Sequence, residues 1–204
     1  MQHKKLAKYS KSKTGTGRRP TLAQERQSWT VKDDAILTEL VTLMDLSTEE
    51  QTLLGSVKEQ AKANAPKMTE AFYARLTKHQ NTNEYLEELS TERMHSMLGD
   101  WFIGLFAGTY DESYAQQRLK IGEIHVHIGL PVRYPLAMLD VIIPFGEEVA
   151  RQSDQPEKAV AAFHKLLALD VAVFNQAYES NQLKHLAELV GGERLARLLL
   201  AGGA

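Results

Sequence analysis

The chain has 204 residues, 43% of them hydrophobic and 25% charged, with a formal net charge of −2 and no cysteine. That is enough for one domain with a full core, and it excludes disulfides, thiolate metal sites, iron–sulfur clusters and cysteine nucleophiles. No run approaches the roughly 18 apolar residues of a membrane span, and the first residues lack the apolar stretch of a secretory signal, so no membrane partner is expected and a cytoplasmic protein is.

Residues 1–20 carry Lys4, Lys5, Lys8, Lys11, Lys13, Arg18 and Arg19 and no acid, which leaves the remainder acidic. Ser10, Ser12, Gly15, Gly17 and Pro20 interrupt the segment, and it shows no apolar periodicity. Residues 1–31 therefore read as a basic disordered arm. Basic arms bind nucleic acid or anionic surfaces. With Tyr9 the sole interleaved aromatic, a solvated tail is the favoured reading and no nucleic-acid partner is expected.

From residue 32 the pattern is helical throughout. Asp33–Asp45 carries Ile36, Leu37, Leu40, Val41, Leu43 and Met44 at helical spacing. Ser47 and Glu50 have the spacing of a capping box, which starts a helix reaching about Ala63. Pro66 suits the first turn of the next, which holds Met68, Ala71, Phe72 and Leu76. Residues 78–84 form a polar loop. A long helix is expected from about Tyr85 to Ala107, with Met94, Met97, Leu98, Trp101, Phe102, Leu105 and Phe106 as one apolar stripe ended by Gly108.

Asp111 is placed to cap the following helix, and Pro131 closes that helix and opens another reaching about Arg151, with Pro144 inside it. Gln155-Pro156-Glu157 starts the last long helix, which runs to about Val190. One of its faces holds Val160, Phe163, Leu166, Leu167, Val171, Phe174 and Tyr178. A second holds Leu169, Val173 and Ala177. Two apolar faces suit burial on both sides within one chain, or a homodimer interface. Residues 191–204, with Gly191-Gly192 and the closing Ala-Gly-Gly-Ala, read as a frayed C-terminal tail. About seven helices, several longer than 20 residues, make an all-α fold of bundle or globin-like type.

The run Ile-Gly-Glu-Ile-His-Val-His-Ile-Gly-Leu at 121–130 is the most pointed feature. Gly122 and Gly129 lie one turn either side of His125, although glycine costs a helix roughly 1 kcal/mol relative to alanine. Close approach of something flat to that face accounts for them, and a haem plane ligated by His125 would fit. A lone histidine on an apolar face is more often a core residue, and from this run alone both readings stand. Without cysteine, haem ligation falls to histidine, methionine or tyrosine.

The run also resembles the haem-ligating helix of globin-coupled sensors, sensor single-domain globins and protoglobins. Phe72-Tyr73-Ala-Arg-Leu76 resembles that family's distal Phe-Tyr segment. Leu105-Phe106-Ala107-Gly108-Thr-Tyr-Asp111 resembles the junction after the distal helix, and Arg118 completes an Arg-x-x-Ile-Gly-x-x-His arrangement. The match spans about residues 45–180. It implies a globin-like fold with an extra N-terminal helix, a globin sensor domain over 32–190, and haem b (iron protoporphyrin IX) as cofactor.

The resemblance makes His125 the metal ligand, bound through a neutral imidazole nitrogen. Its other nitrogen should donate to a carbonyl or water. His127, about 200° further round the helix at ~100° per residue, cannot face the same iron. Tyr73 is implied as the distal hydrogen-bond donor to bound dioxygen, with Phe72 packed on the porphyrin or the helix corner. Met97 stands where relatives have threonine or leucine, flanked by Met94 and Trp101. It fills the pocket, contacts the ligand or ligates iron itself, although a methionine in such a stripe is mostly core. Gly122 and Ile128 complete the proximal side. Tyr134 stands near the first of an aromatic pair that relatives carry, and Pro135 cannot supply the second.

The expected function is reversible binding of dioxygen, and with it carbon monoxide and nitric oxide, by an oxygen sensor that is dimeric through its last two long helices. No output or reductase module follows residue 190 in this sequence, so either a single-domain protein that signals to a separate partner or the sensor part of a larger protein, rather than an enzyme, is expected. The alternatives are a haem enzyme, either a nitric oxide dioxygenase or peroxidase-like, and a haem-free globin-fold interaction module. No distal histidine–arginine pair supports the enzyme. His125, Gly122, Gly129 and Tyr73 together argue against the haem-free module. Metal binding by His125 and His127 alone suits a strand better than a helix.

Overall fold

Helix signals in the sequence decide where most of the elements begin. The structure, a computed structural model, describes residues 28, 31, 34–86 and 90–202; most of the expected basic arm, residues 1–31, lies outside these. Among the described residues the elements are α1 (Asp34–Met44), α2 (Thr48–Ser56), α3 (Lys58–Leu76), α4 (Gln80–Asn83), α5 (Thr91–Gly104), α6 (Glu112–His127), α7 (Arg133–Ala137), α8 (Leu139–Ala150), α9 (Pro156–Val190) and α10 (Glu193–Leu200), with no strand. Ser47 forms the capping box with Glu50. Asp111 accepts from the Tyr114 backbone N–H at the start of α6. Pro156 opens α9, and Gly191, at φ 82°, closes it after 35 residues, the left-handed conformation that glycine adopts without strain.

Several boundaries differ from expectation. The helix begun at Ser47 ends at Ser56, and Pro66 lies inside α3 rather than at a helix start. The break at Val57 follows the point where Gly55 meets Gly108: a Cβ on Gly55 would stand 3.0 Å from the Gly108 Cα. α5 starts at Thr91, capped by Ser90, so Tyr85 and Leu86 belong to a turn. A side-chain cap at Ser90 outweighs the continuation of an amphipathic pattern. The segment after Pro131 divides into α7 and α8 at Met138. Only α9 exceeds 20 residues among the described helices. The expected frayed end instead carries α10, which packs back on α9 and buries Ala196.

The core is built around α9, which packs against α1, α2, α6, α8 and α10. Phe106 stacks on Phe163 at 5.6 Å and meets Phe102 edge-on at 5.7 Å. Leu54, Val57 and Met68 close over them with Leu166, Leu169 and Val173 of α9. Leu169, Val173 and Ala177 are all buried within the one chain, so the second apolar face of α9 is covered without a partner. α3 packs on both α5 and α8, whereas α5 and α6 do not pack along one another. No described helix is long and apolar enough to cross a membrane.

α8 reaches the core only because Gly146 has no side chain: a Cβ there would fall among the ring atoms of Phe163. Gly146→Ala must therefore displace either the ring or the helix. The expected loss is about 1–3 kcal/mol, typical of overpacking, read as a fall of several degrees in the thermal midpoint with helical content retained. An unchanged midpoint would show that this crossing is looser than described.

Candidate functional site

His125 lies in the last turn of α6. Its Nδ1 is 2.7 Å from the Ile121 carbonyl, four residues back, and its ring meets the Phe174 ring of α9 edge-on at 5.2 Å. A carbonyl only accepts, so Nδ1 carries the proton and Nε2 keeps its lone pair. Among the described residues nothing bonds to that nitrogen. Burial lowers the His125 pKa below the ordinary histidine value of 6.5, a shift opposed by the bond to Ile121. The imidazole is thus neutral, oriented and free at Nε2, as a metal ligand must be. His127 is exposed on the opposite side of the helix, as its spacing predicts.

The two glycines have different causes from the one expected. A Cβ on Gly122 would come 2.7 Å from the Ala177 Cβ and 2.8 Å from the Phe174 carbonyl oxygen. Gly122 is therefore the contact point of α6 with α9, and the flat object it admits is the neighbouring helix. Gly129 has φ 72° and open space around it. It terminates α6 by adopting the left-handed conformation.

α5 carries a second partly uncovered apolar face. Met94 and Trp101 are half-buried, and Met97 is 50% exposed. On α6, Ile124 and Ile128 are 40% and 45% exposed. At ~100° per residue, Ile121, Ile124, His125 and Ile128 share one side of α6. Arg118 joins α6 to α5 at the Trp101 carbonyl, and the two helices do not pack along one another beyond it; their uncovered apolar faces, with one free imidazole nitrogen, define the candidate slot. Among the described residues no group of three or more potential metal ligands converges. A lone nitrogen in an apolar slot suits a metal that brings its own equatorial ligands, and the donor set fits a flat apolar macrocycle better than a bare ion.

Tyr73, from α3, lies against α5. Its hydroxyl donates to the Met94 carbonyl at 3.1 Å, its ring stacks on His95 at 4.7 Å and 10°, and Phe72 meets it edge-on at 5.4 Å. Burial pushes its hydroxyl up to about 12, so it stays a donor. Phe72 also packs against the core. Tyr134 is elsewhere. It sits 6.3 Å from His79 and 6.4 Å from Tyr85, with Arg133 over its ring, beside α4. The Tyr85 hydroxyl reaches the Gly129 carbonyl at 3.5 Å and the Tyr178 hydroxyl donates to the Leu130 carbonyl at 2.9 Å. These tyrosines hold the segment after α6, and neither bonds to His125.

Sequence reasoning missed the group that joins the two walls. Asp170 of α9 is buried. It accepts from Trp101 Nε1 at 2.9 Å and from the Tyr114 hydroxyl at 2.6 Å, and its Oδ1 is 2.7 Å from Arg118 Nε. Arg118 also donates to the Trp101 carbonyl at 3.2 Å and lies over the Tyr114 ring. A Cβ on Gly104 would collide with its guanidinium. The available signal was an acid, Asp170, in the otherwise apolar run Leu166–Phe174. Its partner 52 positions away could not be read from that run.

The profile of the Protoglobin family matches residues 33–184. A heme-based aerotactic transducer, HemAT, of Halobacterium salinarum is 24% identical over 169 residues, covering 76% of this chain and 35% of its own length. The chain thus spans about a third of that relative. The globin domain of a Geobacter sulfurreducens globin-coupled sensor is 27% identical, with a TM-score of 0.64 over 69% of this chain and 96% of its own. The globin domain of the E. coli DosC, in its ferric form, shares the fold at 18% identity and a TM-score of 0.55, covering 71% of this chain and 98% of its own.

Removing one member of a buried ion pair strands the other. Asp170→Ala should destabilise the protein by about 3–5 kcal/mol, measured by urea unfolding. Replacing both members, as Arg118→Met with Asp170→Leu, should recover the part of that loss due to the stranded guanidinium, while Trp101 and Tyr114 still lose their acceptor. Equal losses in the single and double variants would show that the pair is not coupled.

Proposed function

The chain belongs to the protoglobin family, and on that premise we propose that it binds haem b in the α5–α6 slot and takes up a diatomic gas, dioxygen first, as a sensor. The observation that carries this reading is His125, neutral, held by Ile121 through Nδ1 and free at Nε2 on an uncovered apolar face. Haem b supplies an iron with an open coordination position that binds diatomic gases.

The chain's residues do the rest. His125 Nε2 is the metal ligand, and the Ile121 carbonyl fixes its tautomer and ring orientation. Met94, Met97 and Trp101 form the distal wall, and Ile124 and Ile128 the proximal one. With haem seated between them, both walls would be covered from water. Phe72 supports Tyr73 from its edge. Tyr73 is the distal donor, a role that requires its hydroxyl to leave the Met94 carbonyl. The roles first given to Gly122 and Tyr134 are revised: Gly122 seats α6 on α9, and Tyr134 anchors the aromatic cluster beside α4. Nothing in the slot favours a peroxidase-like or dioxygenase reading, since His95 is occupied by Tyr73 and Arg93 is exposed. A homodimer no longer draws support from the buried second face of α9. Exposed Leu189, Leu195, Leu199 and Leu200 at the C-terminal end offer an apolar surface to a second copy or a separate signalling partner.

Absorption spectra of the haem-loaded protein test the reading. Wild type should show a Soret band that shifts on reduction and again under carbon monoxide or oxygen, and His125→Ala should lose or rewire it. Because burial lowers the pKa of His125 below the ordinary histidine value, acid loss of the wild-type spectrum should begin at a lower pH than for an unshifted histidine ligand. A protein that takes up no haem would overturn the reading. If Tyr73 is the donor, Tyr73→Phe should speed oxygen dissociation about tenfold, the worth of one hydrogen bond of about 1.4 kcal/mol.

A further inference from the structure

His95 is a neighbour of the distal wall that the gas-binding reading leaves without a task. It follows Met94 on α5, ~100° further round the helix, and so leaves the slot face for the side that packs on α3. Gly99, one turn on, lies on that same side: a Cβ there would touch Thr69 and Ala65 of α3. His95 lines the open groove between α3 and α5 with Lys62, Thr69, Ser96 and Asp100. One face of its ring is stacked on Tyr73, with centroids 4.7 Å apart and planes within 10°.

Two consecutive residues of α5 therefore hold one tyrosine. The Met94 carbonyl accepts the hydrogen bond of its hydroxyl, and His95 stacks on its ring. A phenol has one proton to donate, so donation to Met94 and donation to a gas in the slot are exclusive. The stack keeps the ring on the α3–α5 seam, and moving into the slot means leaving His95. Phe72 touches the ring only by an edge and does not resist that motion in the same way.

We infer that His95 is a positioning residue that docks Tyr73 on the α3–α5 seam and thereby sets how much of the time its hydroxyl serves a gas in the slot. This rests on the gas-binding reading above. The direction follows from the geometry: the stack favours the docked position, so His95 weakens gas retention. An aromatic pair of this kind shifts an equilibrium by about twofold to tenfold.

The test is oxygen dissociation from the ferrous haem-loaded protein, measured for wild type, His95→Ala, His95→Phe, Tyr73→Phe and the His95→Ala/Tyr73→Phe pair. His95→Ala should slow release about twofold to tenfold, His95→Phe, which keeps a stacking ring, should stay near wild type, and His95→Ala should change nothing once Tyr73 is phenylalanine. A His95→Ala rate equal to wild type, or the same change in both backgrounds, overturns the inference. If Tyr73→Phe alone leaves the rate unchanged, the donor reading of Tyr73 fails first, and the inference with it. A second readout does not depend on gas release. In the diamagnetic carbon monoxide form, the ring resonances of carbon-13 tyrosine at position 73, assigned by their loss in Tyr73→Phe, should move in His95→Ala and move far less in His95→Phe. Unmoved resonances in His95→Ala would also overturn it.

Discussion

The contact between Arg118 and Asp170 is the interaction on which the rest of this structure depends. Both side chains are taken out of water, and a buried charge persists only when its partners satisfy it. Asp170 is satisfied three times over, by Arg118, Tyr114 and Trp101. Arg118 repays the arrangement by holding the Trp101 carbonyl. The three elements so joined are α5, α6 and α9. Gly104 gives way at the point where a side chain would fill the space of the guanidinium. Because the tie lies in the C-terminal part of α5 and the N-terminal half of α6, the other ends of those helices need not meet.

That consequence explains an otherwise unfavourable surface. Met97, Ile124 and Ile128 present apolar area to water on two walls that do not pack together. A fold that buries α9 so thoroughly would gain by closing this gap too. It is held open by Gly122, which lets α6 sit down on α9, and by the Asp170 group, which fixes α6 against α5. His125 follows Gly122 by one turn, so the close seat of α6 also sets the position of the imidazole and brings Phe174 against its ring. The packing of α6 and the orientation of the candidate ligand are one constraint, while Tyr73 of α3 is held on the far side of α5 by Met94 and His95.

Local signals were legible in the sequence and long-range ones were not. Ser47 with Glu50, Asp111, Pro156 and Gly191 each act through the backbone within four residues, and each helix end they predict is present. The all-α class and the position of His125 on α6 follow from periodicity and from the family resemblance. Pro66 misled because a proline tolerated within α3 looks the same in sequence as one at a helix start. The cap at Ser90 is masked in the sequence because the amphipathic pattern of α5 continues upstream through it. Gly122 and Gly129 stand out in the sequence, but a helix seat, a cofactor face and a left-handed terminus all call for the same residue, and only the three-dimensional packing separates them. Asp170 and His95 carry no local mark of their partners, and their roles come from contacts with α5, α6 and α3.

The central claim is that His125 alone supplies the protein's bond to the haem iron. Resonance Raman spectra of the ferrous, gas-free protein measure that bond through the iron–histidine stretching band. Wild type should show the band, His125→Gly should lack it, and added imidazole should restore it by entering the space the side chain leaves. A band that persists in His125→Gly without imidazole would contradict the account and place the ligand at another residue.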